Sequence, residues 1–168
     1  LHRVGRRRGQ LCIRASDTPL LLAVGRVPAC YEYRLRMDGE SQEEFGLRSA
    51  NALEAEILRL GAVTVAAFVV EPVSGATLGT VPPVPGYFSR IREICDRYGV
   101  LLIADEVMCG SGRTGTFFYL EQEGISPDII TIAKGLGAGF QPIAATLASE
   151  KVVNVMLAGS GTLWNGHT

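Results

Sequence analysis

Residues 99 to 106 read Gly99-Val100-Leu101-Leu102-Ile103-Ala104-Asp105-Glu106, and this stretch decides the fold. Val100 to Ala104 is an unbroken apolar run, which suits a strand covered on both faces better than one with a wet side. Immediately upstream, Tyr87, Phe88, Ile91, Ile94, Cys95 and Tyr98 recur at helical spacing and stop at Gly99, so an amphipathic helix leads into the strand. Further back, Ser41 and Glu44 form a capping box ahead of Ala50, Leu53, Ile57 and Leu60, with Gly61 as the stop, which predicts a second helix. Val63 to Val70 reads as another strand buried on both faces. Downstream, Ile129 to Ala133 and Ile143 to Ala148 supply two more strands, and Glu150 to Leu157 begins a helix. Buried strands alternating with amphipathic helices predict an α/β fold with a mostly parallel sheet and flanking helices.

Composition narrows the classes of function. The 168 residues are 47% hydrophobic and 20% charged, the profile of an ordinary globular chain, and the net charge of −1 gives no pull toward nucleic acid or an anionic membrane. The charge is uneven, because Leu1 to Arg36 carries eight arginines against Asp17 and Glu32. An Arg-rich, acid-poor start is one form of transit peptide, but the preferred reading is a solvated basic surface that begins within a domain. The apolar run Pro19 to Val24 is far short of the ~20 residues of a membrane span. Cys12, Cys30, Cys95 and Cys109 fall at wide intervals with only His2 and His167 as helpers, so neither a zinc site nor a disulfide framework is expected. A reducing cytoplasm is the compartment that fits.

In open parallel sheets, ligands gather beyond the carboxyl ends of the strands. Here each apolar run ends in a polar group: Val70 leads to Glu71, Ala104 to Asp105-Glu106, and Ala133 to Lys134. The acidic strand end resembles the magnesium-holding strand of a P-loop ATPase, but no G-x-x-x-x-G-K-[ST] loop stands in the chain to cradle phosphates. Gly135-Leu136-Gly137-Ala138-Gly139 is a weak match to a dinucleotide fingerprint, with its third glycine one place early. A lysine that follows an apolar strand either reaches water or has a chemical task, since burying an ammonium is costly. Lys134 stands 29 residues after Asp105, at the end of what should be a nearby strand. That pair suits a Schiff-base cofactor: an amine to attack an aldehyde, and a carboxylate to keep a pyridine nitrogen protonated so that the ring draws electrons.

At these residues the chain resembles a known family. Asp105-Glu106-Val107-Met108-Cys109-Gly110-Ser111-Gly112-Arg113-Thr114-Gly115 is similar to the class III aminotransferase signature D-E-V-Q-T-G-F-G-R-T-G, and Pro127-Asp128-Ile129-Ile130-Thr131-Ile132-Ala133-Lys134-Gly135-Leu136 resembles that family's segment around its Schiff-base lysine. Glu71-Pro72-Val73, the Pro85-Gly86-Tyr87 helix start, Gly159-Ser160-Gly161 and Asn165-Gly166-His167-Thr168 resemble flanking segments. The resemblance runs over residues 28–168, while residues 1–27 form a weakly matching basic segment.

The resemblance implies part of the large cofactor-binding domain of a fold-type I pyridoxal-phosphate enzyme, a transaminase moving an amino group from an amino donor to a keto acid or aldehyde. It implies Lys134 as the residue that carries pyridoxal 5'-phosphate and shuttles the proton, and Asp105 as the partner of the pyridinium nitrogen. Val107 would pack on the ring, and Thr168 would bind the cofactor phosphate of a neighbouring subunit in a homodimer. Glu71 either orients the cofactor site or caps a strand end, with the site preferred. No metal is expected. Met108 stands where the family commonly has glutamine, and Ala76 stands near where ornithine and γ-aminobutyrate members carry a glutamate, which points away from those two donors. Family members are much longer, with an upstream phosphate-gripping loop and a downstream small domain, so the chain reads as an internal fragment. The alternatives are a catalytically inactive remnant and, remotely, a P-loop ATPase fragment. Cys109 reads as a packing residue; Arg113 and Trp164 each divide between a site role and a structural one.

Overall fold

In the computed structural model, residues 24–76 and 78–161 are described. Among these residues, four helices and four strands follow one another in the order α1 (Glu32–Leu35), α2 (Gln42–Leu60), β1 (Ala67–Val70), α3 (Tyr87–Tyr98), β2 (Leu101–Asp105), β3 (Ile129–Ile132), β4 (Ala145–Ala148) and α4 (Glu150–Ser160). Short 3-10 turns occupy Ala62–Thr64, Tyr119–Glu123 and Lys134–Leu136. α2 begins where its capping box lies: the Glu44 N–H donates to Ser41 Oγ at 3.2 Å and the Ser41 N–H to the Glu44 carboxylate at 2.8 Å, satisfying two otherwise orphaned donors. Gly61, with φ 91°, ends it. α3 runs between two left-handed glycines, Gly86 and Gly99, and the Val100 N–H closes back on the Cys95 carbonyl at 2.9 Å.

The sheet order is β1-β2-β3-β4. β1 and β2 are parallel with Phe68 beside Leu102 and Val70 beside Ala104; β2 and β3 are parallel with Ala104 beside Ile130 and Asp105 beside Thr131. Successive residues point to opposite faces, so Phe68, Val70, Leu102, Ala104 and Ile130 share one face, and these are the residues that meet the core. That core is completed by Ala50, Leu53 and Ile57 of α2 and by Tyr87, Phe88, Ile91, Ile94 and Cys95 of α3. Complete burial of a side chain such as Ile91 contributes about 1.5–3 kcal/mol.

The sheet is mostly parallel, as the sequence predicts, with β4 running antiparallel to β3. Two expectations are corrected. β1 starts at Ala67, because Val63 lies in a 3-10 turn with its side chain fully exposed. Burial is also incomplete: Val69 is 61% exposed, and β4 leaves Thr146, Leu147 and Ala148 exposed on both of its faces. An apolar run does not reveal which face lies against the core. No helix among the described residues is long and apolar enough to cross a membrane.

Candidate active site

Because β1, β2 and β3 are parallel, their carboxyl ends lie along one edge of the sheet, and the loops that follow them carry Glu71, Asp105 to Val107, and Lys134. Asp105 pairs with Thr131 in the ladder, and Lys134 stands three residues beyond Thr131, at the start of the 3-10 turn that follows β3. Asp105 is half-buried and accepts the Val107 N–H on Oδ1 at 3.1 Å, which turns the chain sharply at the strand end. No other described residue hydrogen-bonds that carboxylate, leaving acceptor capacity free.

Lys134 opens a 3-10 turn with φ 43°, a left-handed value uncommon for any residue but glycine. Such a backbone costs of order 1 kcal/mol or more and persists where the surroundings enforce it, commonly at functional sites. The Lys134 side chain is exposed, and among the described residues its ammonium has no hydrogen-bond or ion-pair partner.

The loops are packed on one another. The Glu71 carboxylate accepts the Gly75 N–H, tightening the turn after β1. Met108 lies against that turn so closely that a Cβ on Gly75 would stand 2.7 Å from its Cγ. Ser111, itself at φ 59°, lies against Gly135, where an added Cβ would be 3.1 Å from the serine Cβ. The Ser111 Oγ is buried without a hydrogen-bond partner. The segments following all three parallel strands are therefore in contact, with Asp105 and Lys134 on two of them.

Glu106 is the residue that sequence reasoning missed. It is fully buried, and its carboxylate accepts the backbone N–H groups of Tyr119 at 2.6 Å and Leu120 at 3.1 Å. Burial pushes its carboxyl above the ordinary range, against the lowering pull of those two amides. The period of two along β2 was the available signal, since it places Glu106 on the same face as the buried Leu102 and Ala104. Cys109 is buried beside it, and burial pushes the thiol up to about 11, which agrees with packing rather than reactivity. Arg113 is exposed. Thr168 and Trp164 lie outside the described residues.

The donor set suits a flat aldehyde cofactor with a basic ring nitrogen, because it offers one exposed amine and one half-buried carboxylate with acceptor capacity to spare. Among the described residues, no group of three His, Cys, Asp or Glu is arranged to hold a metal ion. An apolar hollow of about 1080 Å³ between Val27, α2 and β1 reaches Glu71 but touches neither Asp105 nor Lys134.

The family model for class-III aminotransferases matches residues 13–168. An aminotransferase of Gibberella zeae is 48% identical over 145 residues, covering 86% of this chain and 28% of the relative. A chloroplastic gamma aminobutyrate transaminase 3 of Solanum lycopersicum is 45% identical over 139 residues, covering 81% of this chain and 26% of its own. Among solved structures, the omega transaminase of Pseudomonas jessenii in complex with PMP superposes with a TM-score of 0.78 at 40% identity, over 88% of this chain and 33% of that one. The chain belongs to the class-III aminotransferase family, whose members depend on pyridoxal phosphate. It spans between a quarter and a third of the length of these relatives.

Proposed function

We propose that these residues form part of a pyridoxal-phosphate-dependent aminotransferase that passes an amino group from a small-molecule donor to a keto acid or aldehyde. The observation that carries this reading is the placement of Asp105 and Lys134 at the carboxyl ends of adjacent parallel strands, with an open carboxylate on one and an exposed amine on the other. When bound, the cofactor supplies an electron-withdrawing ring that makes the donor's α-proton acidic. Lys134 Nζ would hold the cofactor and would carry the proton to and from the donor's α-carbon. Asp105 Oδ2 keeps a proton on the ring nitrogen while Oδ1 stays fixed by the Val107 N–H.

Val107 packs on the ring, and Glu71 holds the turn that borders it. Thr168 Oγ1 binds the phosphate of a neighbouring subunit's cofactor, which makes a homodimer the working form. Residues 28–168 are the cofactor-binding portion, with the basic segment 1–27 outside it. The free thiols Cys30, Cys95 and Cys109 support a reducing compartment such as the cytoplasm.

Borohydride treatment of the full-length protein with pyridoxal phosphate, followed by peptide mapping, tests the assignment. A phosphopyridoxyl group on Lys134 is the expected result. Labelling of Lys151, the other lysine in this sequence, would overturn it. The inactive-remnant reading predicts no turnover from the full-length protein with any donor.

A further inference from the structure

We infer that Glu106 is a positioning residue that holds Asp105 and Lys134 in register by clamping the loop between them. The inference rests on the aminotransferase reading above. Glu106 follows Asp105 directly, and its own N–H donates to the Thr131 carbonyl at 2.9 Å, so its backbone belongs to the ladder that joins β2 to β3. Its side chain points to the other end of the loop, where it accepts the N–H groups of Tyr119 and Leu120. One buried carboxylate thus ties both ends of the segment Val107 to Phe118.

That segment is folded tightly over the carboxylate. The Gly110 N–H donates to the Glu106 carbonyl at 2.8 Å, and a Cβ on Gly110 would stand 2.7 Å from that oxygen and 3.3 Å from Glu106 Oε2. From Gly110 the chain passes to Ser111, whose N–H donates to Phe117 at 2.8 Å and whose Cβ lies against Gly135, next to Lys134. A mechanical path therefore runs from the Glu106 carboxylate through Gly110 and Ser111 to the lysine turn, and a second runs along the backbone to Asp105 and Val107. No cation pairs with Glu106 among the described residues. Two aligned backbone donors compensate its burial in place of a salt bridge, and such bonds to an ionised acceptor are short and directional.

The test uses the full-length holoenzyme. In Glu106→Gln one acceptor oxygen becomes an NH2 that faces a backbone donor, so one arm of the clamp is lost with little change in volume. Tyr119→Pro deletes a clamp donor from the other side. Phe118, at φ −114° and ψ 140°, already has the conformation required before proline, and proline is accepted at the first position of a helical turn. Each variant is expected to lose about 100-fold in kcat with KM little changed, as a misplacement near 1 Å does. Each should also move the pH midpoint of the visible band of bound pyridoxal phosphate. The double variant should be no worse than the weaker single, because both break one clamp. Wild-type kcat and band titration in either variant, or losses that multiply in the double, would overturn the inference. If Glu106→Gln does not fold, Tyr119→Pro alone decides by the same two readouts. Absence of borohydride labelling at Lys134 in the wild type would instead count against the aminotransferase reading.

Discussion

Asp105 and Asp128 are aspartates at opposite ends of neighbouring strands, and their surroundings differ in kind. Asp128, just before β3, is 6% exposed and saturated: Oδ2 accepts the Leu102 N–H at 2.8 Å and Arg92 Nη1 at 2.9 Å, while Lys151 Nζ lies 3.5 Å from Oδ1. Its own N–H and carbonyl also bond across, to Leu102 and Ser149. The carboxylate of Asp105, at the end of β2, accepts one backbone N–H, that of Val107. The amino end of the sheet uses its carboxylate to hold β2, α3 and the start of α4 together. The carboxyl end leaves its carboxylate under-satisfied and so available to a ligand. Buried charge that is fully paired serves the fold; on the proposed reading, charge with spare capacity at a strand end serves chemistry.

Substitution can break that contrast. In the full-length protein, Asp105→Asn should lower the transamination rate by several orders of magnitude, each tenfold being about 1.4 kcal/mol of barrier, with an unaltered urea midpoint. An unchanged rate would remove Asp105 from the chemistry. Asp128→Asn should do the reverse, leaving kcat per folded molecule intact. It should destabilise by about 3 kcal/mol, the low end for unpairing a buried ion, because Asp96 still faces Arg92 at 2.8 Å.

The same substitution sharpens the comparison on the pH axis. Burial alone would raise the Asp128 carboxyl, but the Leu102 N–H, Arg92 and Lys151 together hold it below its ordinary value. A depressed carboxyl stabilises the fold above the unfolded-state value, near 4, and that stability is lost as pH falls through the folded value. Denaturant titrations below pH 4 should therefore be flatter for Asp128→Asn than for the wild type. The smallest effect belongs to a region remote from both aspartates: Ser41→Ala, which removes the α2 cap, should cost about 1 kcal/mol in urea unfolding and nothing in kcat.

Much of this was legible in the chain. α2 and α3 begin and end at Ser41, Gly61, Gly86 and Gly99, because caps act locally and leave local marks. β2 and β3 lie where the apolar runs place them, give or take a residue. The direction of β4 was not read, although the stretch from Ala133 to Ala144 has no helical pattern, and a parallel return normally requires a crossover of a dozen or more residues, usually helical. The start of β1 was misread because Val63 is apolar without being inward. Asp105 and Lys134 were singled out by their chemistry, and the structure places them after adjacent parallel strands. Glu106 was hidden beside Asp105, since a sequence shows two acids and only the pleat separates the open face from the core. The contact of Ser111 with Gly135 joins parts far apart in the chain and has no local sign.

The antiparallel return of β4 has a consequence for how the lysine segment tolerates change. Ile132 pairs with Ala145, so the stretch between them is a loop stitched shut at its base. Within it, the turn at Gly137 is packed, since a Cβ there would stand 2.2 Å from the Gln141 carbonyl, while Phe140 at the tip is 88% exposed. Closing a loop costs entropy that grows only with the logarithm of its length, so doubling this one would cost about 0.6 kcal/mol. Length can thus be added at the tip around Phe140, and the distance from the lysine to the aspartate, set at the stitched base, stays as it was.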